Sequence, residues 1–296
     1  MNVLISGATG LIGSALVPRL ESGGHAVARL TRSPKVAGDV RWDPSAGTID
    51  GDLEGIDAVV HLAGENIAQG RWTPEKKRRI VDSRVQGTRL LAESIAALST
   101  PPKVMVSTSA VGLYGDRGDE VLTEESAPGT GFLPVVCREW EEAAEPARRA
   151  GIRVVHPRLG VVLSTEGGAL GTTLPIFKLG GGGKIGSGRQ WVSWVALDDV
   201  VGSIVHALTD ERVEGPVNVG SPNPVTNAAY TKVLGGVLGR PTVLPLPAPA
   251  ARVMLGEVAD ALLLASQRMQ PAKLKATGYE FRYPQLEGAL RHLLGK

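Results

Sequence analysis

Apolar residues in this chain fall into short continuous runs, separated by longer stretches in which they recur every three or four positions. Val3-Leu4-Ile5, Ala26-Val27-Ala28, Ala58-Val59-Val60, Val104-Met105-Val106 and Val154-Val155 are runs of the first kind. Runs this short and rich in β-branched residues read as buried strands. Between them, Leu16, Val17 and Leu20, and later Ile80, Val81, Val85, Leu90, Leu91 and Ile95, repeat at helical spacing. Strands and helices in alternation predict helices on both faces of a mostly parallel sheet. The fold class is therefore α/β, an open doubly wound sheet running to about residue 163. Thr73 as N-cap and Pro74 in the first turn start the long helix, and Lys76-Lys77-Arg78-Arg79 reads as its solvated face.

Beyond residue 163 the punctuation changes. Gly167-Gly168, Gly180 to Gly183, Gly186 and Gly188 precede the proline-rich stretch PTVLPLPAPA at 241 to 250, and predict a smaller lobe of loops and short helices across the strand ends. Residues 192 to 219 again read strand, helix, strand. The expected division is 1–163 with about 192–219 as a nucleotide-binding unit, and about 164–191 with 220–296 as a substrate lobe. A length of 296 residues suits one large or two modest domains.

Composition narrows the partners. Lys and Arg total 32 against 30 Asp and Glu, a net charge of +2, which supplies no global field for nucleic acid or an acidic membrane. The one cysteine, Cys137, excludes an internal disulfide, and the five histidines show no pairing at metal-ligand spacing, so no metal is expected. No stretch approaches the roughly 18 apolar residues of a membrane span, and MNVLISG has no secretory pattern. The expected setting is cytoplasmic, and the expected partner is a small molecule. The spacing does not address oligomeric state.

The first twenty residues carry the clearest chemistry. Asn2 to Ser6 supply a strand, Gly7-Ala8-Thr9-Gly10-Leu11-Ile12-Gly13 a turn and Ser14 to Leu20 a helix, the context a dinucleotide fingerprint requires. Glycines let the backbone approach a pyrophosphate, and the helix N-terminus offers unpaired N–H groups to it. Gly7, Thr9, Gly10, Leu11, Ile12 and Gly13 are thus candidate cofactor contacts. At the end of the second strand stands Ala28-Arg29-Leu30-Thr31-Arg32-Ser33, without the carboxylate that binds a free ribose 2′-OH. Arg32, with Thr31 beside it, suits a 2′-phosphate, so NADP(H) is the expected cofactor. The plainer alternative is a solvated arginine. Arg84 lies on an apolar helix stripe and needs an anionic partner, either a cofactor phosphate or a structural carboxylate.

With GATGLIG, HLAGENI, SRVQGT, STSAVGLYG, HPRLGVVLS and GSGRQWVSWVALDDV in order, the chain resembles the short-chain dehydrogenase/reductase superfamily. Within it, the chain is most similar to the atypical extended branch of NAD(P)-dependent epimerases and dehydratases, which includes nucleoside-diphosphate-sugar epimerase-like proteins. The resemblance runs nearly end to end. It implies a Rossmann domain holding NADP(H), with Leu62, Ala63 and Gly64 passing the cofactor, Arg84 near it, and Ser107 and Val162 at the ends of later strands.

The resemblance also defines what is missing. Members of the superfamily commonly use a Tyr and a Lys four residues later for proton exchange during hydride transfer. None of the four tyrosines is followed by a lysine at that spacing, and alignment on Arg138 to Glu141 puts Leu133 and Cys137 where the pair would stand. Ser109 matches the superfamily serine that bonds a substrate oxygen, and Tyr114 is the candidate replacement acid/base; a strand-end cap and a packing aromatic are their structural alternatives. The Gly180 to Gly188 loop, with Lys184 and Arg189 at its end, suits an anionic group on the substrate if it closes over it, though the loop also reads as a connector. Cys137, Trp191 and Trp194 read as packing residues. Two functions follow: an NADP(H)-dependent oxidoreductase or epimerase-like enzyme, or a non-catalytic NADP(H)-binding regulator or redox sensor.

Overall fold

The computed structural model describes residues 1–296. The runs read as strands form a parallel sheet: β1 (Asn2–Ser6), β2 (Ala26–Thr31), β5 (Ala58–His61), β6 (Val104–Ser107) and β9 (Arg153–Leu159). A hairpin not foreseen from the pattern, β3 (Val40–Asp43) and β4 (Thr48–Asp50), extends one edge, its second strand antiparallel. The two-residue β7 (Ser109–Ala110) pairs with β9, and β13 (Gly215–Val219) closes the other edge, giving the order β13-β9-β6-β5-β1-β2-β3-β4. Strand order reverses at β1, so the crevice outside its C-terminal end is the natural ligand position for such a sheet.

Each face carries one core. Val3, Ile5, Val60 and Val106 point to the face covered by α1 (Leu11–Ser22) and α6 (Leu197–Thr209). Leu4, Val59, Met105 and Val154 point to the other, beneath α2 (Pro74–Ala96) and α4 (Glu145–Arg149). The alternation along each strand is the period of two that a doubly covered sheet needs. Thr73 caps α2, its Oγ1 accepting from Lys76 N at 3.2 Å, with Pro74 in the first turn. Between α2 and α4 lies α3 (Phe132–Glu142).

The C-terminal part is built differently. The stretch 192–219, read as strand, helix and strand, places α6 and β13 against the main sheet. Its first strand pairs elsewhere: Trp194–Ala196 lies beside Val161–Leu163, while Trp191–Val192 pairs with Val225–Thr226. Trp194 is fully buried and donates from its ring N–H to Asn223 O at 3.0 Å. The glycine-rich loop is held in place rather than free to close. Ile185 N donates to Asn227 Oδ1 at 2.8 Å, Gln190 Nε2 donates to Ile185 O at 3.0 Å, and Leu246 N donates to Lys184 O at 2.9 Å.

Asp199, in the first turn of α6, pins the chain's return. Its Oδ1 accepts from Arg282 N at 2.7 Å and its Oδ2 from Tyr283 N at 3.0 Å. Removing a buried acceptor leaves those donors unpaired. Asp199→Ala is expected to destabilise the protein by about 3 kcal/mol, read as a lower urea midpoint at unchanged m-value. A loss below about 1 kcal/mol contradicts the assignment.

Candidate active site

The Gly7–Gly13 turn occupies the crevice at the switch point. Gly7 has φ +71°, and a Cβ there would stand 2.9 Å from Ala63 N. A Cβ on Gly13 would overlap the Gly7 carbonyl oxygen and lie 2.6 Å from Ala8 Cα. These glycines therefore permit a close passage of backbone past backbone. Gly10 N–H donates to Gly7 O at 3.0 Å and Ser14 N–H to Gly10 O at 2.9 Å, while the amides of Leu11, Ile12 and Gly13 between them have no acceptor in the chain. No side chain caps α1. Three unpaired donors and the positive end of a helix dipole thus face the crevice.

Other expected residues converge there. Leu62 and Ala63 touch the loop at Gly7, and the Arg84 guanidinium lies beside Gly64, 3.4 Å from the position of a Cβ there. Leu11 is approached by Gly167 and Gly168, the latter also next to Val162 O. Arg32, at the end of β2 beside β1, is exposed and makes no hydrogen bond or ion pair within the chain. Thr31 Oγ1 accepts from Ser33 N at 3.3 Å. Arg84 bonds no carboxylate: Nη1 donates to the carbonyls of Glu65 at 3.1 Å and Ile80 at 3.2 Å, and Cζ stacks 4.9 Å from the Trp140 ring. Its other nitrogens have no partner.

Of the basic cluster read as a solvated face, Lys76 is a correction. It is buried and bonds Glu65 Oε1 at 2.6 Å, because the first turn of α2 packs under the loop after β5.

A buried polar layer lies on the α2/α3 side of the sheet, at the strand ends. Ser6 Oγ accepts from Leu62 N and Ala63 N at 3.2 and 3.3 Å, so its own proton goes to His61 Nδ1 at 2.6 Å. The His61 ring hydrogen is then on Nε2, which has no partner. Ser107 Oγ, Ser109 Oγ and His156 Nε2 are likewise buried and unpartnered. His156 Nδ1 lies 3.2 Å from Ser107 O. Arg158 forms two bonds of 2.9 Å to Glu141 of α3.

Tyr114 belongs to this network rather than to the crevice. Its hydroxyl accepts from Arg158 Nη1 at 3.0 Å and has Asn218 Oδ1 at 2.7 Å and Thr123 O at 3.0 Å as acceptors. The side chain is fully buried, and burial raises its pKa. With its hydroxyl engaged by Arg158, Asn218 and Thr123, Tyr114 anchors this network, which corrects its reading as an acid/base.

A second feature opens beside this layer. A cleft of about 210 Å³ lies between the turn after Ser109, the start of α3 and the segment 257–267, with Trp72, Gly112, Leu133, Ala261 and Gln267 in its wall.

A model of the NAD dependent epimerase/dehydratase family matches residues 3–220. The chain belongs to this family. A domain of unknown function matches residues 246–293. Epimerase family protein MT2273 of Mycobacterium tuberculosis is 42% identical over 290 residues, 97% of this chain and 96% of that protein. Human epimerase family protein SDR39U1, crystallised with NADPH, superposes over the whole of both chains at a TM-score of 0.94 and 35% identity. A nucleoside-diphosphate sugar epimerase from Corynebacterium glutamicum is 42% identical with a TM-score of 0.84, covering all of this chain and 58% of that one.

Within the family's fold, the positions aligned with the Tyr and Lys pair are apolar surroundings. Leu133 packs at Gly112, and Cys137 is buried, its thiol pushed up to about 12 by burial and by Glu141. It is protonated at neutral pH and serves packing. The glycine, Arg32 and Arg84 positions were readable from local spacing. Glu141, Arg158, His61 and His156 were not, since their partners come from distant segments.

Burial, with the nearby Arg84 charge for His61, holds both buried imidazoles near pKa 4. Burial alone would raise Glu141, and Arg158 overrides it to a value below the ordinary carboxylate. Folded values below unfolded ones mean that the unfolded chain binds more protons, so stability falls as pH falls. The histidine contribution is complete above about pH 6.5 and declines toward pH 4, with Glu141 adding at the acid end. The Cε1–H resonances of His61 and His156 are expected to stay neutral through about pH 5 while the urea midpoint falls. A ring titrating near its ordinary value contradicts this burial.

Proposed function

We propose that the protein is an NADP(H)-dependent oxidoreductase or epimerase-like enzyme acting at a carbonyl or carbinol carbon. The single observation behind the cofactor is the set of unpaired amides at Leu11, Ile12 and Gly13, facing a crevice where side chains at Gly7 and Gly13 would collide with backbone. Those amides suit a pyrophosphate. The unpaired Arg32 suits a 2′-phosphate, and the free donors of Arg84 suit another cofactor oxygen. NADPH bound in the human relative supports the same choice. On this reading residues 1–163 with about 192–219 hold the cofactor, and about 164–191 with 220–296 shape the substrate lobe.

When bound, the cofactor supplies a hydride, which with one proton from solvent converts C=O to CHOH, or accepts one in the reverse direction. Ser109 positions the substrate oxygen; its hydroxyl lies near the Glu141 carboxylate, whose pKa it helps to lower, and makes no well-aligned hydrogen bond. Proton exchange does not pass through a Tyr–Lys pair, since Leu133 and Cys137 carry no proton at neutral pH that they can exchange. A non-catalytic NADP(H)-binding regulator is the second reading, favoured by those same two residues and by the engaged Tyr114.

Cofactor-free protein is expected to bind NADPH more tightly than NADH in a nicotinamide fluorescence titration. Arg32→Ala should cut that preference by about tenfold or more. Equal affinities, unchanged in the variant, oppose the Arg32 assignment. Separately, Ser109→Ala is expected to keep NADPH affinity and lower turnover by about a hundredfold. Unchanged turnover removes Ser109, and tight NADPH binding without turnover across carbonyl, alcohol and nucleotide-sugar substrates favours the regulator.

A further inference from the structure

The cleft at the turn that follows Ser109 has a chemical character of its own. Its floor is the turn three residues beyond that serine: a Cβ on Gly112 would lie 3.3 Å from the Leu133 side chain, so Leu133 seals the position where the family's tyrosine would stand. One wall is aromatic. Trp72 and Phe132 meet edge to face with centroids 5.1 Å apart, and the indole N–H is fixed on Ile67 O at 2.8 Å. Both rings are therefore held in place before any ligand arrives.

The charged groups in the wall are all carboxylates: Asp116, Glu257 and Asp260. No Lys, Arg or His lines it. Asp116 accepts from Ser266 N at 3.0 Å, Glu257 pairs with Lys77 at 2.5 Å and Asp260 with Arg252 at 2.9 Å. The nearby cations are thus already paired, although Lys77 Nζ also lies 4.9 Å over the Phe132 ring. What is left to meet a ligand is neutral: the Gln267 carboxamide and the Thr130 hydroxyl make no side-chain hydrogen bond within the chain. The remaining cations once considered for an anionic substrate, Lys184 and Arg189, are absent from this cleft, and their loop is fastened to Asn227 and Leu246.

A nucleoside diphosphate brings two or more negative charges and needs basic partners, whereas the cations near this wall are held by Glu257 and Asp260 and the Asp116 carboxylate has no cation partner. Size points the same way, because about 210 Å³ falls below the roughly 300–1,000 Å³ typical of drug-sized ligands. We infer that this cleft takes a small, uncharged, largely apolar carbonyl or alcohol compound, packed on Trp72 and Phe132 and oriented by Gln267, and that it excludes nucleoside diphosphate sugars. The inference rests on the hydride-transfer reading for its reaction, though not for its binding.

The test uses the full chain loaded with NADPH and three probes: para-tolualdehyde, para-carboxybenzaldehyde and UDP-glucose. Dissociation constants come from saturation-transfer NMR, and NADPH oxidation is followed in parallel. Tolualdehyde is expected to bind at least about tenfold more tightly than its carboxylated analogue, whose charge loses its water without gaining a free cation and faces Asp116, and UDP-glucose more weakly still. Ala261→Phe should weaken tolualdehyde about tenfold by filling the cleft, with NADPH affinity unchanged as the check on folding. UDP-glucose binding as tightly as tolualdehyde overturns the inference, as does unaltered aldehyde binding in Ala261→Phe or no aldehyde binding at all. Aldehyde bound without NADPH oxidation upholds the ligand class and counts against hydride transfer.

Discussion

The backbone of Gly13 passes so close to the carbonyl of Gly7 that a side chain on Gly13 would collide with main chain, and one on Gly7 would collide with Leu62 and Ala63. Much of the crevice depends on that contact. It lets the chain leave β1, turn within seven residues and enter α1 with the first-turn amides unpaired and aimed outward. It also brings Ala63 and Leu62, from the end of β5, against the same turn. The position follows from the strand order, because the sheet grows in opposite directions from β1 and opens a crevice at that point.

Behind that opening the protein invests in a polar layer rather than a continuous apolar core. The Glu141–Arg158 pair crosses from α3 to β9, and Arg158 continues to Tyr114, which reaches Asn218 on the sheet edge. Asn218 N in turn donates to Glu124, which also accepts from Lys273 N, so the network ties the C-terminal segment at Lys273 to the main sheet. Such a buried pair is retained only when its hydrogen bonds are satisfied. Here both carboxylate oxygens of Glu141 are used. The unpartnered hydroxyls of Ser107 and Ser109 lie on this layer, next to where chemistry is proposed.

How much of this was legible depended on distance along the chain. The parallel strands were visible because a doubly covered strand is apolar throughout, and α2 because Thr73 and Pro74 mark its start. The β3–β4 hairpin was missed: VRWD and TID mix charge with apolar residues over three or four positions, too few to show alternation. The cofactor candidates were local, since glycine spacing and an arginine at a strand end carry their meaning within a few residues. Tyr114 and Lys76 were misread because burial is set by remote partners, Asn218 for one and the loop after β5 for the other. No periodicity announces that a tyrosine in a glycine-flanked turn is enclosed, or that one lysine of four consecutive cations is buried.

The account stands or falls on the first-turn amides of α1. Backbone amide resonances of 15N-labelled protein, followed during addition of NADPH, report on them directly. The predicted result is saturable shifts at Leu11, Ile12 and Gly13, accompanied by Ala63 and Gly64, with the far-side strand β13 unmoved. Shifts confined to other parts of the chain, with Leu11 to Gly13 unchanged, would contradict a pyrophosphate at that helix end.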